Sequence, residues 1–256
     1  MKKVIRILLF VLLAGVFLYS AWQLGSYYLT AHQQESTVTD LRKELNDSTE
    51  APYAVNEDGI LVRYAELYAR NPDMIGWLTI EDTPIDYPVM QRKADPEYYL
   101  HRDFNEAYAS GGCLFLEAAC DLERPSDNLI VYGHHMKSGS MFGKLSEYED
   151  REFYESHQTF VFDTIREGRT YQVLAVFRTQ VYADDDKEHF HYYDFIDAED
   201  QEAFDEYVKQ VKSMSQYQTD ITAEYGDELL TLSTCAYHKE KGRFVVVAKR
   251  VALPGK

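Results

Sequence analysis

Positive charge is scarce in this chain. Its 256 residues include 26 Lys and Arg against 43 Asp and Glu, which gives a formal net charge of −17 at pH 7. A protein that binds nucleic acid needs a basic face to meet the phosphates, so this balance argues against a nucleic-acid partner. We expect most of the acidic side chains to lie on a solvated exterior.

Cysteine is also scarce, with three in the whole chain: Cys113, Cys120 and Cys235. An odd number leaves at least one free thiol. A domain of about two hundred residues buries enough apolar surface to be stable without a disulfide. We therefore expect Cys113 to be a buried thiol rather than the partner of Cys120.

The chain lacks internal repeats, low-complexity tracts and a Ca²⁺ loop of the Asp-x-Asp-x-Asp-Gly kind. A long apolar run occurs once, from Ile7 to about Leu24, after the basic residues Lys2, Lys3 and Arg6. At about 1.5 Å per residue, such a helix is long enough to cross a bilayer. The run is therefore either a membrane segment or a signal peptide.

Aromatic residues crowd the outer end of this run, at Tyr19, Trp22, Tyr27 and Tyr28. They are typical of a membrane interface and favour an uncleaved signal anchor. The positive-inside rule then predicts a cytoplasmic tail at 1–6, a transmembrane anchor at 7–28 and an extracytoplasmic remainder. We expect a polar stalk at 29–50, where apolar residues form only a thin helical stripe, and a catalytic domain at 51–256.

Beyond the stalk, short apolar segments alternate with turn signals. Helices are predicted at 60–69, 141–145, 151–157 and 196–217, and strands at 77–80, 85–90, 112–116, 129–132, 159–164, 170–179, 229–235 and 243–251. Many short strands with few helices favour a mainly β protein built on a closed or partly closed barrel.

The last two predicted strands form a hairpin around a polar loop that ends at Gly242. Antiparallel pairing brings Cys235 and Arg243 to the same rim of the sheet. Because side chains alternate along a strand, Ser233 shares a face with Cys235, while Leu232 and Thr234 point the other way. Ser233 is therefore a candidate to line any site that Cys235 serves.

A lone Cys is more often a small buried hydrophobe than a nucleophile. Here a nearby Arg favours the thiolate, and a second apolar strand ends at Gly133-His134-His135. A nucleophilic thiol needs a proton acceptor, which is usually an imidazole. The sequence thus predicts a cysteine nucleophile at 235, served by one of the two histidines and by Arg243.

Residues 231–235, Thr-Leu-Ser-Thr-Cys, together with Arg243 and with Tyr-Gly-His at 132–134, resemble the active-site signature of the sortases. These are membrane-anchored cysteine transpeptidases of Gram-positive bacteria. The segments 71–77, 85–89 and 138–143 resemble class B members. The resemblance implies an eight-stranded closed β-barrel with peripheral helices, preceded by one transmembrane helix. The helix at 196–217 resembles the class B insertion between the sixth and seventh strands.

The resemblance also implies the chemistry. Cys235 would be the nucleophile, His134 the acid and base, and Arg243 the residue that stabilises the oxyanion. Substrate contacts would come from Leu232, Ser233 and Thr234. The implied partners are secreted proteins with an Asn-Pro-x-Thr-like C-terminal sorting signal and a peptidoglycan precursor amine, with no cofactor and no metal.

Other functions remain open at this point. The same residues would serve a pilin-polymerising transpeptidase or a hydrolytic cysteine peptidase, and a membrane-anchored binding domain without activity is a further alternative. His189 and His191 lie among acidic residues, but they lack the ordered spacing of a zinc site, so we favour a surface loop. We expect His238 to lie in the loop after Cys235, on the other side of the chain.

Overall fold

The computed structural model describes residues 2–47, 51–183, 185–235 and 241–252, apart from the side chains of residues 2, 24, 26–34 and 235. Short 3₁₀ turns lie at Tyr98–His101, Leu145–Glu149 and Tyr192–Asp194. The α-helices are α1 (Lys2–Asn46), α2 (Val62–Arg70), α3 (Arg151–Ser156) and α4 (Gln201–Met214). The strands are β1 (Met74–Thr79), β2 (Asp86–Met90), β3 (Leu114–Leu116), β4 (Asn128–Gly133), β5 (Thr159–Thr164), β6 (Thr170–Gln180), β7 (Leu229–Cys235) and β8 (Gly242–Val251).

The strands close into a barrel in the order β1-β2-β3-β4-β7-β8-β6-β5. The β7–β8 pair is antiparallel, as the sequence predicts, and the β1–β2 and β5–β6 pairs are antiparallel as well. Two pairs are parallel, β2 with β3 and β4 with β7. The prediction of a mainly β fold on a closed eight-stranded barrel is confirmed.

Side-chain alternation along β7 separates the two faces of the barrel wall. Leu230 and Leu232 lie in the apolar interior, together with Phe244 of β8. Thr231 faces outward and its hydroxyl lies 3.4 Å from that of Tyr207 on α4. Helix α4 therefore covers the outer face of the strand that ends in Cys235.

The position of α4 between β6 and β7 confirms the predicted helix, although it is shorter than 196–217. It begins after Asp200, whose carboxylate accepts a hydrogen bond from the Ala203 amide at 2.9 Å. This cap satisfies an amide that the first turn of a helix leaves without a partner.

The predicted helix at 141–145 is wrong. Met141 has φ of +53°, a left-handed conformation that no right-handed helix contains. Gly143 packs so closely on the Met136 carbonyl that a Cβ there would clash with it. The segment is therefore a tight turn, and the 3₁₀ turn begins only at Leu145.

Helix α1 is continuous through the predicted anchor and through the predicted stalk as far as Asn46. Its segment Lys3–Gln23 is long and apolar enough to cross a membrane, judged by length and composition. The last turns pack on the barrel, where Leu41 and Leu45 are buried in one cluster with Leu61, Tyr64 and Leu67. The narrow stripe of the stalk thus shares a core with α2, although the division into tail, anchor, stalk and domain stays a prediction.

Arg42 fastens the end of α1 to β2. Its guanidinium donates to the Asp86 carbonyl at 2.9 Å, pairs with the Asp86 carboxylate at 3.0 Å and lies 5.0 Å from the centre of the Tyr87 ring. Half-buried pairs of this geometry stabilise more than fully exposed ones because they are less screened by water.

Cys113 and Cys120 are both buried and free. The expectation of buried thiols rather than a disulfide is confirmed.

We expect Leu41→Ala to lower the free energy of unfolding by about 2 to 4 kcal/mol, because it leaves a cavity between α1 and α2. Asp40→Ala is the matched control, since Asp40 is exposed one position away and such changes cost within about 0.5 kcal/mol. Urea unfolding in detergent micelles, followed by Trp77 fluorescence in a Trp22→Phe background, measures both. Equal stabilities would show that the end of α1 does not contribute to the folded domain.

Candidate active site

Strand register brings the predicted catalytic residues to one edge of the barrel. Strands β4 and β7 run parallel with Gly133 opposite Thr234, so both strands end at the same edge of the barrel. Strand β8 returns antiparallel to β7, with Arg243 opposite Cys235. His134, Cys235 and Arg243 thus lie on three adjacent strand ends, and the predicted adjacency of Cys235 and Arg243 is confirmed.

A cavity of about 380 Å³ opens at this edge. His134, Ser233, Thr234 and Arg243 contribute to its wall. The rest of its lining is mostly apolar and aromatic, with two carboxylates, and includes Leu100, Phe115, Tyr132, Val181, Tyr192, Tyr193, Glu97 and Glu117. An apolar cavity with a few convergent polar groups is the usual form of a ligand site.

The His134 ring is held in one tautomer. Its Nε2 lies 2.9 Å from the Leu100 carbonyl oxygen. A carbonyl only accepts hydrogen bonds, so Nε2 carries the proton and the neutral ring keeps Nδ1 as its acceptor. The structure therefore assigns proton uptake to Nδ1.

Burial lowers the pKa of His134 below its ordinary value of 6.5. The hydrogen bond to Leu100 opposes this effect in part, whereas the nearby His101 adds to it. A neutral imidazole at pH 7 is suited to take a proton from a thiol or an amine.

His135 lies apart from this cavity. It is not among the residues of the cavity wall, and its pKa is lowered by burial and by the charge of Arg178. Between the two adjacent histidines, the geometry therefore favours His134 as the partner of a nucleophile at the cavity.

Arg243 is half-buried, and its guanidinium donates to the backbone carbonyl of Gly242 at 3.1 Å. Within the described residues, no carboxylate pairs with it, whereas Arg178 and Arg250 both have Glu partners. Its remaining N–H groups are thus not committed to an ion pair with any described residue. A guanidinium of this kind is suited to hold a developing oxyanion.

The three predicted substrate contacts differ in position. Ser233 lines the cavity, and its hydroxyl lies 2.7 Å from that of the buried Tyr192. Thr234 lines the cavity at the barrel rim and is 1% exposed. Leu232 packs inside the barrel and not in the cavity wall, because strand alternation turns it inward. The geometry gives no support for a direct substrate contact by Leu232.

Sequence reasoning missed Leu100 and Tyr192. Leu100 acts through a backbone carbonyl, which leaves no signal in residue type. Tyr192 reaches the site from a 3₁₀ turn that has no periodic pattern.

His189 and His191 both pair with neighbouring carboxylates, but only His189 is exposed as expected, because the side chain of His191 is 13% exposed. His189 contacts Asp186 at 2.9 Å, and His191 contacts Asp194 at 3.2 Å. Over the described ranges, which omit Asp184, no group of three potential ligands is placed to hold a metal ion. His238 lies outside the described residues.

A family model described as the Sortase domain matches residues 78–251. A sortase B of Listeria monocytogenes is 36% identical over 242 residues, which cover 93% of each chain. The chain belongs to the class B sortases. It is accordingly a sortase-type cysteine transpeptidase, as the sequence predicts.

Solved structures agree with this assignment. The structure of sortase B from B. anthracis in complex with AAEK1 has a TM-score of 0.76 and 30% identity, and the match covers 88% of this sortase and 100% of that chain. A Staphylococcus aureus sortase B-substrate complex has a TM-score of 0.76 and 27% identity, with 87% and 98% covered. These likenesses confirm the barrel.

We expect the free energy of unfolding to fall less at acid pH in His134→Gln than in the parent protein. The folded pKa of His134 lies below the unfolded value of 6.5, so the unfolded chain binds more protons below that pH, and stability falls as the pH drops. Denaturant unfolding above and below pH 6.5 measures the difference for both proteins. The same loss in the parent and the variant would contradict a depressed pKa at His134.

Proposed function

We propose that this sortase cleaves a C-terminal sorting signal after Thr through a thioacyl enzyme and transfers the new carboxyl end to a cell-wall precursor amine. The observation that carries the proposal is the meeting of three strand ends, those with His134, Cys235 and Arg243, beside one cavity. Nucleophilic acyl transfer needs this set: a thiol, a proton carrier and an oxyanion donor.

In the first half-reaction, His134 takes the proton of the Cys235 thiol, and the thiolate attacks the Thr carbonyl carbon and forms a C–S bond. The protonated His134 delivers this proton to the departing nitrogen as the C–N bond breaks, and the C-terminal fragment leaves as an amine. In the second, the precursor amine attacks the thioester, His134 takes the proton of the amine, and the sulfur leaves as the new amide forms and regains a proton from His134. One imidazole performs both transfers, as microscopic reversibility requires.

Arg243 would donate to the carbonyl oxygen as it becomes an oxyanion. Its half-buried guanidinium lies opposite Cys235 across the β7–β8 pair, and no described carboxylate competes for it. Ser233 and Thr234, in the cavity wall on the catalytic strand, would contact the peptide.

The proposed donors are secreted proteins with an Asn-Pro-x-Thr-like sorting signal, bound in the cavity. The proposed acceptor is an amine of a peptidoglycan precursor. The solved Staphylococcus aureus relative that carries a substrate supports a peptide-binding role for the matching part of this chain. The apolar and aromatic wall of the cavity suits a short extended peptide.

We further propose that residues 7–28 anchor the enzyme, with residues 1–6 in the cytoplasm and the barrel outside a Gram-positive cell. The apolar first half of α1 and the basic residues before it support this orientation. A shared membrane raises the effective concentration of anchored substrates and lipid-linked amines near the site.

Mass spectrometry tests the reaction directly. The full chain in detergent is incubated with peptides that end in Asn-Pro-x-Thr-like or Leu-Pro-x-Thr-Gly-like signals, with and without an amine. We expect an acyl adduct on Cys235, cleavage after Thr and an amine-capped product, all absent from Cys235→Ala. Hydrolysis without amine capture would instead indicate a peptidase, and transfer only to a protein Lys would indicate polymerisation.

Replacement of Arg243 by Lys is expected to lower kcat about a hundredfold, because a point charge replaces the planar pair of donors at the oxyanion. Arg166→Lys is the matched control, since Arg166 is exposed and its guanidinium donates to the Asp58 carbonyl. Single-turnover formation of the acyl adduct gives the rate for each variant. Equal rates for the two variants would remove Arg243 from the proposed mechanism.

A further inference from the structure

We propose that His101 is a positioning residue that stacks on His134 and, with the Leu100 carbonyl, holds the imidazole in place for proton transfer. This inference rests on the proposed role of His134. Its basis is a single 3₁₀ turn, Tyr98–His101, which makes two different contacts with one ring.

The two contacts restrain different motions of His134. The hydrogen bond from Nε2 to Leu100 at 2.9 Å fixes the edge of the ring and its tautomer. The His101 ring lies 5.3 Å away, centre to centre, at an interplanar angle of 20°, so it covers one face. Together they limit rotation of the ring about both of its side-chain torsions, which is the precondition for efficient proton transfer.

The turn is itself anchored in the core. Tyr99 is 1% exposed, and its hydroxyl donates to the Asp73 carboxylate at 2.9 Å and accepts from the Asn71 amide at 2.9 Å. Asp73 also pairs with Arg92 at 2.6 Å. The sequence analysis assigns no function to the Asn71-Pro72-Asp73 segment. In the structure, this segment anchors the 3₁₀ turn, and the turn positions His134.

Gly112 allows the backbone of the 3₁₀ turn to pack closely against it. Its φ is +55°, and a Cβ at this position would clash with the carbonyl oxygens of Tyr99 and Leu100. The Leu100 carbonyl is the one that accepts from His134. Only glycine permits this close approach without displacing the acceptor.

The charge of His101 and the burial of His134 both lower the pKa of His134. A protonated His101 disfavours a second positive charge on His134 and so lowers its pKa. Among the described residues of the cavity wall, the other charged groups are Arg243, Glu97 and Glu117, and Arg178 lies beside the neighbouring His135. The stack therefore helps to keep His134 neutral.

Two variants separate stacking from charge. His101→Ala removes the ring and the charge, whereas His101→Phe keeps an aromatic face without the charge. His101 is exposed, so neither change threatens the fold. The full chain in detergent is labelled at histidine, and NMR titration gives the pKa and the tautomer of His134. Transfer kinetics give kcat and KM with the best peptide from the panel.

We expect His101→Ala to raise the pKa of His134 and to lower kcat roughly tenfold, with KM changed less than about twofold, because the imidazole is less well placed. His101→Phe should recover kcat to within about threefold while the pKa of His134 stays raised. An unchanged kcat in His101→Ala, or equal losses in the two variants, would overturn the positioning role.

A measurement that needs no substrate tests the role of His101 independently of the proposed transpeptidation reaction. Native alkylation by iodoacetamide, with Cys235→Ala as the blank, reports the reactivity of Cys235 alone, because Cys113 and Cys120 are buried. If His101 positions His134, its loss shifts the pH dependence of alkylation even when no peptide is turned over. An unshifted profile in His101→Ala would overturn the proposal independently of the sorting signal.

Discussion

The parallel pairing of β4 with β7 is the constraint on which the site depends. Parallel strands end at the same edge, so Gly133 opposite Thr234 places the residue after β4 beside the residue that ends β7. A one-residue slip would turn the outward residues of β7, such as Thr231, into the barrel and shift Cys235 by one residue along its neighbours. The interior leucines of β7 prevent that slip. Packing inside the barrel thus sets the register that places the catalytic residues at its edge.

Much of the site could be predicted because its residues lie in strong local patterns. The apolar strand before His134 and the hairpin that joins Cys235 to Arg243 are both local in sequence, and local pairing needs no knowledge of the fold. The choice between His134 and His135 could not be made this way, since it depends on which residue faces the cavity. Leu100 and His101 lie more than thirty positions before His134 in the sequence, and only the closed barrel brings them to it.

In the fold, too, the features that are local in sequence could be predicted and the long-range ones could not. Strand pairs with short turns could be predicted, whereas both parallel pairs connect strands that are distant in the chain. The helix predicted at 141–145 failed because apolar spacing does not report the positive φ of Met141. The burial of Leu41 and Leu45 was missed for a related reason. A stripe too narrow to form a core alone becomes part of one when α2 supplies the other half.

The unbroken course of α1 has a geometric consequence. About ten helical residues separate the end of the proposed anchor at residue 28 from the contact with the barrel near Val38, a rod of roughly 15 Å at 1.5 Å per residue. In the proposed topology, this rod sets the height of the cavity above the lipid. It also sets the direction in which the cavity opens, because one added residue would turn the barrel by about 100° around the helix axis.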